Sequence, residues 1–146
     1  MRFVCDAMLG KLAKYLRILG LDTIYIRNMN ELGCYGPSDD RFFFTRRSRL
    51  KGIDRAVFIR SDKTIEQIKE IQDIIRPYVD LKKTMTRCIT CNALLADIKK
   101  IDAEQYIPEF VFHQYERFSI CPLCCNIYWE GSHAAHMARF VEEVFG

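Results

Sequence analysis

Long apolar runs are missing from this sequence. The uncharged stretch from Phe118 to Trp129 is too short to span a bilayer and carries cysteines, so no membrane-spanning helix is expected. At the N-terminus Asp6 interrupts the apolar residues before a signal-peptide core can form, which makes a cytoplasmic location the expectation. A strong excess of one charge is also lacking. The 22 Lys and Arg residues against 19 Asp and Glu leave +3, too little by itself to demand a polyanionic partner. No internal repeat or low-complexity segment is present, and with 49% hydrophobic residues disorder is not the dominant state.

What is present fits a small globular chain. A length of 146 residues suffices for one core, alone or with a small accessory module. The seven cysteines are an odd number with no export signal beside them, so intracellular metal binding explains them better than a secreted disulfide scaffold.

The first 83 residues alternate between strand and helix signals. Arg2 to Cys5 is a β-prone run, and Leu9, Leu12, Leu16 and Leu19 then recur on one helical face before Gly20. Asp22 to Ile26, Arg41 to Thr45 and Ala56 to Ile59 read as further strands. Thr64 to Arg76 reads as a helix whose buried stripe is Ile65, Ile68, Ile71, Ile74 and Ile75, ended by Pro77. Residues 27–41 are rich in turn formers and lack a helical period, so this crossover carries little or no helix. The alternation predicts an α/β fold with a mostly parallel sheet flanked by helices over residues 1–83. Residues 84–146 read as a cysteine-bearing ribbon, with Phe110 to His113 as one of its strands and a closing helix from about His133 to Val144.

Cys88-Ile-Thr-Cys91 and Cys121-Pro-Leu-Cys124 form two pairs with the spacing of a tight turn that aims both sulfurs at one ion. Two such turns make a closed four-thiolate site, and structural Zn²⁺ is the expected occupant. Buried inert cysteines and thiol-disulfide chemistry are the rival readings. Cys125 adjoins the second pair as a substitute ligand, while Cys5 and Cys34 read as a core thiol and a loop thiol. A closed site has no open position for substrate, so this metal is not catalytic.

Functional groups of open parallel sheets gather beyond the carboxyl ends of the strands. Asp6 follows the first strand, Thr45 ends the third and Asp62 follows the fourth. Carboxylates gathered there would bind Mg²⁺ or Mn²⁺ and support phosphodiester hydrolysis. Helix capping is the plain alternative for both acids.

The opening Asp6-Ala-Met-Leu-Gly-Lys-Leu-Ala-Lys-Tyr-Leu-Arg-Ile-Leu-Gly20 closely resembles the start of the RNase domain at the C-terminus of the exonuclease Mut-seven, which also occurs as stand-alone prokaryotic proteins. Phe43-Phe44-Thr45-Arg46, Ser61-Asp62 with Glu66-Gln67-Ile68, both cysteine pairs and Tyr128-Trp129-Glu130-Gly131-Ser132-His133 extend the resemblance over nearly the whole chain. It implies a PIN-like nuclease fold joined to a zinc ribbon, with metal-dependent RNA cleavage and with Asp6 and Asp62 at acidic positions of the pattern. Where the family reads Thr-Arg-Asp, this chain has Thr45-Arg46-Arg47. A fixed cation there competes with a metal ion. The candidates to complete the acidic cluster are Glu31, Asp39 and Asp40.

Basic residues supply the remaining expectation. Lys11, Lys14 and Arg17 line the exposed side of the first helix, and Arg46 and Arg47 belong to a basic stretch beside the strand ends. With Thr45 and His133 they form the expected RNA contact. His133 and His136 share a helical face, Tyr128 and Trp129 pack against the ribbon, and His113 has no assigned role. Three functions stay open: a metal-dependent ribonuclease, a non-catalytic RNA-binding module, and an adaptor whose ribbon docks a protein partner.

Overall fold

A computed structural model of the chain describes residues 1–35 and 40–145, with the backbone alone described at residues 29, 32, 33, 132–135, 137 and 138. Its centre is a four-stranded parallel sheet in the order β2-β1-β3-β4. The strands are β1 (Arg2–Cys5), β2 (Thr23–Tyr25), β3 (Arg41–Thr45) and β4 (Ala56–Phe58). Register places Phe3 beside Phe42 and Cys5 beside Phe44, while Val4 lies between Ile24 and Phe43. Because side chains alternate along a strand, these rows face opposite sides of the sheet.

The Phe3 and Phe44 side meets the main core. Helix α1 (Gly10–Ile18) contributes Leu12 and Leu16, and Leu9 and Leu19 flank it, all buried as the leucine spacing predicts. Helix α3 (Thr64–Ile75) adds Ile68, Ile71 and Ile75. The last helix, α6 (Ser132–Phe145), returns to this same core with Phe140, Val141 and Val144, and Phe140 meets Tyr15 edge to face at 5.4 Å between ring centres. The opposite sheet face is covered more thinly. Val4, Ile26 and Phe43 pack there with Tyr35 from the four-residue helix α2 (Leu32–Tyr35), and the described part of the crossover holds this short helix and the helical turn Met29–Glu31.

Gly20 ends α1 with φ of 83°, and the amides of Gly20 and Leu21 return to the carbonyls of Arg17 and Leu16. This is the left-handed closure that glycine makes without steric cost. A Cβ here would also collide with the Lys83 carbonyl, so the absent side chain lets the linker cross the helix end.

The second unit holds a three-stranded antiparallel sheet, β5 (Ala96–Ile98), β6 (Phe118–Ile120) and β7 (Ile127–Trp129). Helices α4 (Lys100–Ala103) and α5 (Glu109–Gln114) pack on it through Ala103 and Val111, against Phe118 and Trp129. The expected strand at Phe110 to His113 is therefore a helix. Pro108 sets its N-cap, and the chain closes helically, the Phe112 amide returning to the Pro108 carbonyl at 3.1 Å and the Tyr115 amide to the Val111 carbonyl at 3.1 Å. His113 sits exposed on α5, 3.7 Å from Glu109.

Candidate functional site

Four thiols converge beside the antiparallel sheet. Cys88, Cys91, Cys121 and Cys124 place their sulfurs within 4.8 Å of one another, and among the described residues this is the only group of three or more metal-ligating side chains. The Cys88 and Cys124 sulfurs are 3.7 Å apart. A tetrahedral ion with bonds of about 2.3 Å to sulfur separates its ligands by about 3.8 Å, so the spacing suits a metal such as zinc. Each pair lies on a turn closed through a sulfur, with the Cys91 amide donating to Cys88 Sγ and the Cys124 amide to Cys121 Sγ. Cys125 lies exposed at φ of 63° outside the quartet.

Hydrogen bonding differentiates the thiols. Burial pushes Cys88 up, but the Tyr128 hydroxyl at 3.0 Å and the amides of Cys91 and Thr90 outweigh it and bring the thiol down to about 7. Contact with Cys124, then burial and Cys121, raise Cys91 to about 12.

Arg17 does not join an exposed basic face. It is 8% exposed and reaches from α1 to the first cysteine turn, donating from Nη1 to the carbonyls of Ile89 at 2.8 Å and Thr90 at 3.1 Å, and from Nε to Thr23 at 3.0 Å. Arg17 follows Leu16 on the helix, and that arc is covered by the turn arriving 72 residues later in the chain. Asn92 completes the junction, accepting from the Thr23 amide at 3.0 Å and donating to Asp22 at 2.7 Å. Local sequence carries no sign of this contact.

The second cluster lies at the strand ends. Strand order reverses between β1 and β3, and at that switch point Asp6 follows β1 and Thr45 ends β3. The Thr45 hydroxyl donates to Asp6 Oδ2 at 2.5 Å and accepts from the Arg47 amide at 2.9 Å. Asp6 Oδ1 accepts from the Met8 amide at 3.1 Å, capping the short helical turn Ala7–Leu9. Arg47 Nε stands 3.8 Å from Asp6 Oδ2 and is buried with no hydrogen-bond partner. Asp6 is fully buried beneath these groups.

Among the described residues no group of three metal-ligating side chains includes Asp6. Asp62 is exposed in the loop before α3, whose N-cap is Lys63, and among the described residues its carboxylate makes no hydrogen bond or ion pair. Glu31 ends a short helical turn after β2, Asp40 lies 3.6 Å from Arg41, and Asp39 falls outside the described residues. Mg²⁺ and Mn²⁺ require several oxygen ligands, and Mg²⁺ usually keeps several waters. Among the described residues, a buried Asp6 carboxylate that is already hydrogen-bonded to Thr45 and Met8 and faces a guanidinium is a poor fit for either ion.

Exposed cations border the cluster. Lys11 and Lys14 lie exposed on the first half of α1, immediately beyond Asp6, and Arg49 and Arg60 are exposed in the loops after β3 and β4. Arg46 turns aside to donate to the Ser61 carbonyl. Glu70 receives the amides of Arg60 and Ser61 at 2.9 and 2.8 Å and so fixes the loop after β4. His133 lies in α6 with its side chain outside the description, and Trp129 packs into the second core. A groove of about 540 Å³ beside the ribbon, lined by Lys82, Asp97, Arg117 and Tyr128 among others, includes none of the strand-end residues.

A parallel α/β sheet with a polar cluster at its switch point, together with a small antiparallel sheet and a four-thiol cluster, defines the class of this protein. The chain belongs to the Mut7-C RNAse domain family, whose model matches residues 1–141. Neither the curated proteins nor the solved structures compared with it gave a match.

Proposed function

We propose that this protein binds RNA through the cations around its strand-end cluster and does not cleave it by a divalent-metal mechanism. Membership of an RNase domain family supports RNA as the partner. The observation that carries the reading is the position of Arg47, 3.8 Å from a fully buried Asp6. A two-metal or one-metal hydrolase needs carboxylates open to the ion and to its water. Here the cation is part of the chain.

Lys11, Lys14, Arg49 and Arg60 engage the phosphate backbone, with Thr45 and Asp6 holding Arg47 at the centre. The four thiols hold a structural zinc that supplies no chemistry to the bound strand, and a reducing cytoplasm keeps them available to it. The unit before residue 83 carries the RNA surface and the unit after it supplies the zinc.

The test combines anisotropy of a labelled RNA across a salt series with a gel assay in Mg²⁺ or Mn²⁺. Binding that weakens steeply with salt, with no metal-dependent product, is the expected result. Metal-dependent cleavage abolished by Asp6→Asn would overturn this reading in favour of a nuclease. Absence of both binding and cleavage would instead favour the adaptor.

A further inference from the structure

A cation at a buried carboxylate ordinarily settles where it can make direct hydrogen bonds. Arg47 does not: its Nε is buried and unpartnered, 3.8 Å from Asp6 Oδ2, while the Thr45 hydroxyl takes the close position on that oxygen. The attraction is therefore mainly coulombic, and it acts in a poorly hydrated setting where it is weakly screened. The rest of the guanidinium is not buried with it. The side chain is one-third exposed, and among the described residues neither Nη group has a hydrogen-bond acceptor. The backbone fixes its base, because the Arg47 amide donates to Thr45 Oγ1.

We propose that Arg47 replaces a divalent ion as the bridge between Asp6 and a phosphodiester oxygen. Its Nε lies nearest the carboxylate, and its Nη donors, which have no acceptor among the described residues, are left for a ligand with the planar geometry suited to a phosphate. A bound metal would link the same two anions by coordination; Arg47 links them by charge and hydrogen bonding. Two properties follow. The strand-end cluster has no affinity for Mg²⁺ or Mn²⁺ in the native chain, and phosphate contact there needs no added ion. The choice of phosphodiester as ligand rests on the RNA reading, whereas the exclusion of the metal rests on the geometry alone.

Electron paramagnetic resonance of Mn²⁺ titrated into the zinc-loaded wild type measures the first property without any variant. No stoichiometric site is expected; one bound Mn²⁺ per chain that disappears in Asp6→Asn would overturn the proposal. Anisotropy with labelled single-stranded RNA in EDTA and in MnCl₂ measures the second, and the two curves should coincide. Arg47→Ala should weaken binding by about tenfold, the scale of one lost charge-assisted contact. Arg47→Lys keeps the charge, protects the fold and should recover only part of the affinity because it lacks the fork. Unchanged affinity in both variants would overturn the bridge while leaving RNA binding intact. Wild-type protein that binds no RNA at all would remove the RNA reading and the phosphate half of this proposal together.

Discussion

Arg17 of the first helix and Ile89 of the first cysteine turn are joined by a hydrogen bond of 2.8 Å, across 72 residues of sequence. The guanidinium also holds Thr90 and Thr23, so one buried side chain serves the helix, the edge strand and the metal turn together. Burial lowers its basicity from the usual guanidinium range, with Cys5, Cys88, Cys91 and Asp22 acting in the opposite direction.

Replacing it by Met keeps much of the volume and strands three carbonyls. Arg17→Met should lower the unfolding free energy by about 2–3 kcal/mol, the scale of buried acceptors left without donors. Urea denaturation of the zinc-loaded protein measures this, and a loss under about 0.5 kcal/mol would show that water replaces the guanidinium. RNA affinity corrected for folding should stay unchanged, since Arg17 is buried and its donors are held by Thr23, Ile89 and Thr90.

Chelation should act first on the second unit. Trp129 is the one tryptophan in the sequence and packs with Phe118 in that unit's small core. Removing the proposed zinc would leave four crowded thiols and take away binding energy that also serves as folding energy. A strong chelator should therefore shift Trp129 emission to the red before far-ultraviolet dichroism reports loss of the parallel sheet. Simultaneous loss of both signals would mean that the two units unfold as one.

Thiol labelling should separate three classes. Cys34 and Cys125 are exposed outside the quartet, and both should react promptly in the zinc-loaded protein. The quartet should react only after chelation. Cys5 is fully buried in the main core, with its thiol pushed far above the usual range by burial, Asp6 adding to this and Arg17 opposing it. It should label only on global unfolding, which quantitative alkylation followed by mass spectrometry will show.

Acid should act through Asp22. Burial pushes its carboxyl up, but hydrogen bonds from Asn92 and Arg2 and the Arg2 charge outweigh that and hold it below its usual value. A folded-state pKa below the unfolded one means stability that is fully present well above about pH 4 and is lost as pH falls through the folded value. Asp22→Asn should flatten this part of the profile. Unfolding free energies at several pH values between about 2.5 and 6 provide the comparison; parallel profiles for the two proteins would exclude the linkage.

The parts of this molecule that sequence reveals are those set by local spacing. Leu9, Leu12, Leu16 and Leu19 announce a buried helical face, Ile68, Ile71 and Ile75 another, and the two cysteine pairs need only a turn each to become half-sites. Arg17 misleads because its neighbours Lys11 and Lys14 are exposed, and only the arrival of Ile89 and Thr90 covers it. Phe110 to His113 misleads because aromatic residues favour strands, whereas Pro108 and the inward turn of Val111 make a helix here. At the strand ends, sequence marks Asp6, Thr45 and Arg47 as candidates. Which group covers the carboxylate depends on the register of β1 against β3 and on the path taken after Thr45.

The return of α6 has a consequence for synthesis. Phe140, Val141 and Val144 belong to the same core as Phe3, so the earliest strand waits for side chains made more than a hundred residues later. Contacts of such long sequence separation slow folding and leave apolar surface open in the meantime. On the ribosome the Leu12 and Ile68 faces would stand partly uncovered until α6 emerges, a window in which chaperone occupancy and aggregation compete for the nascent chain.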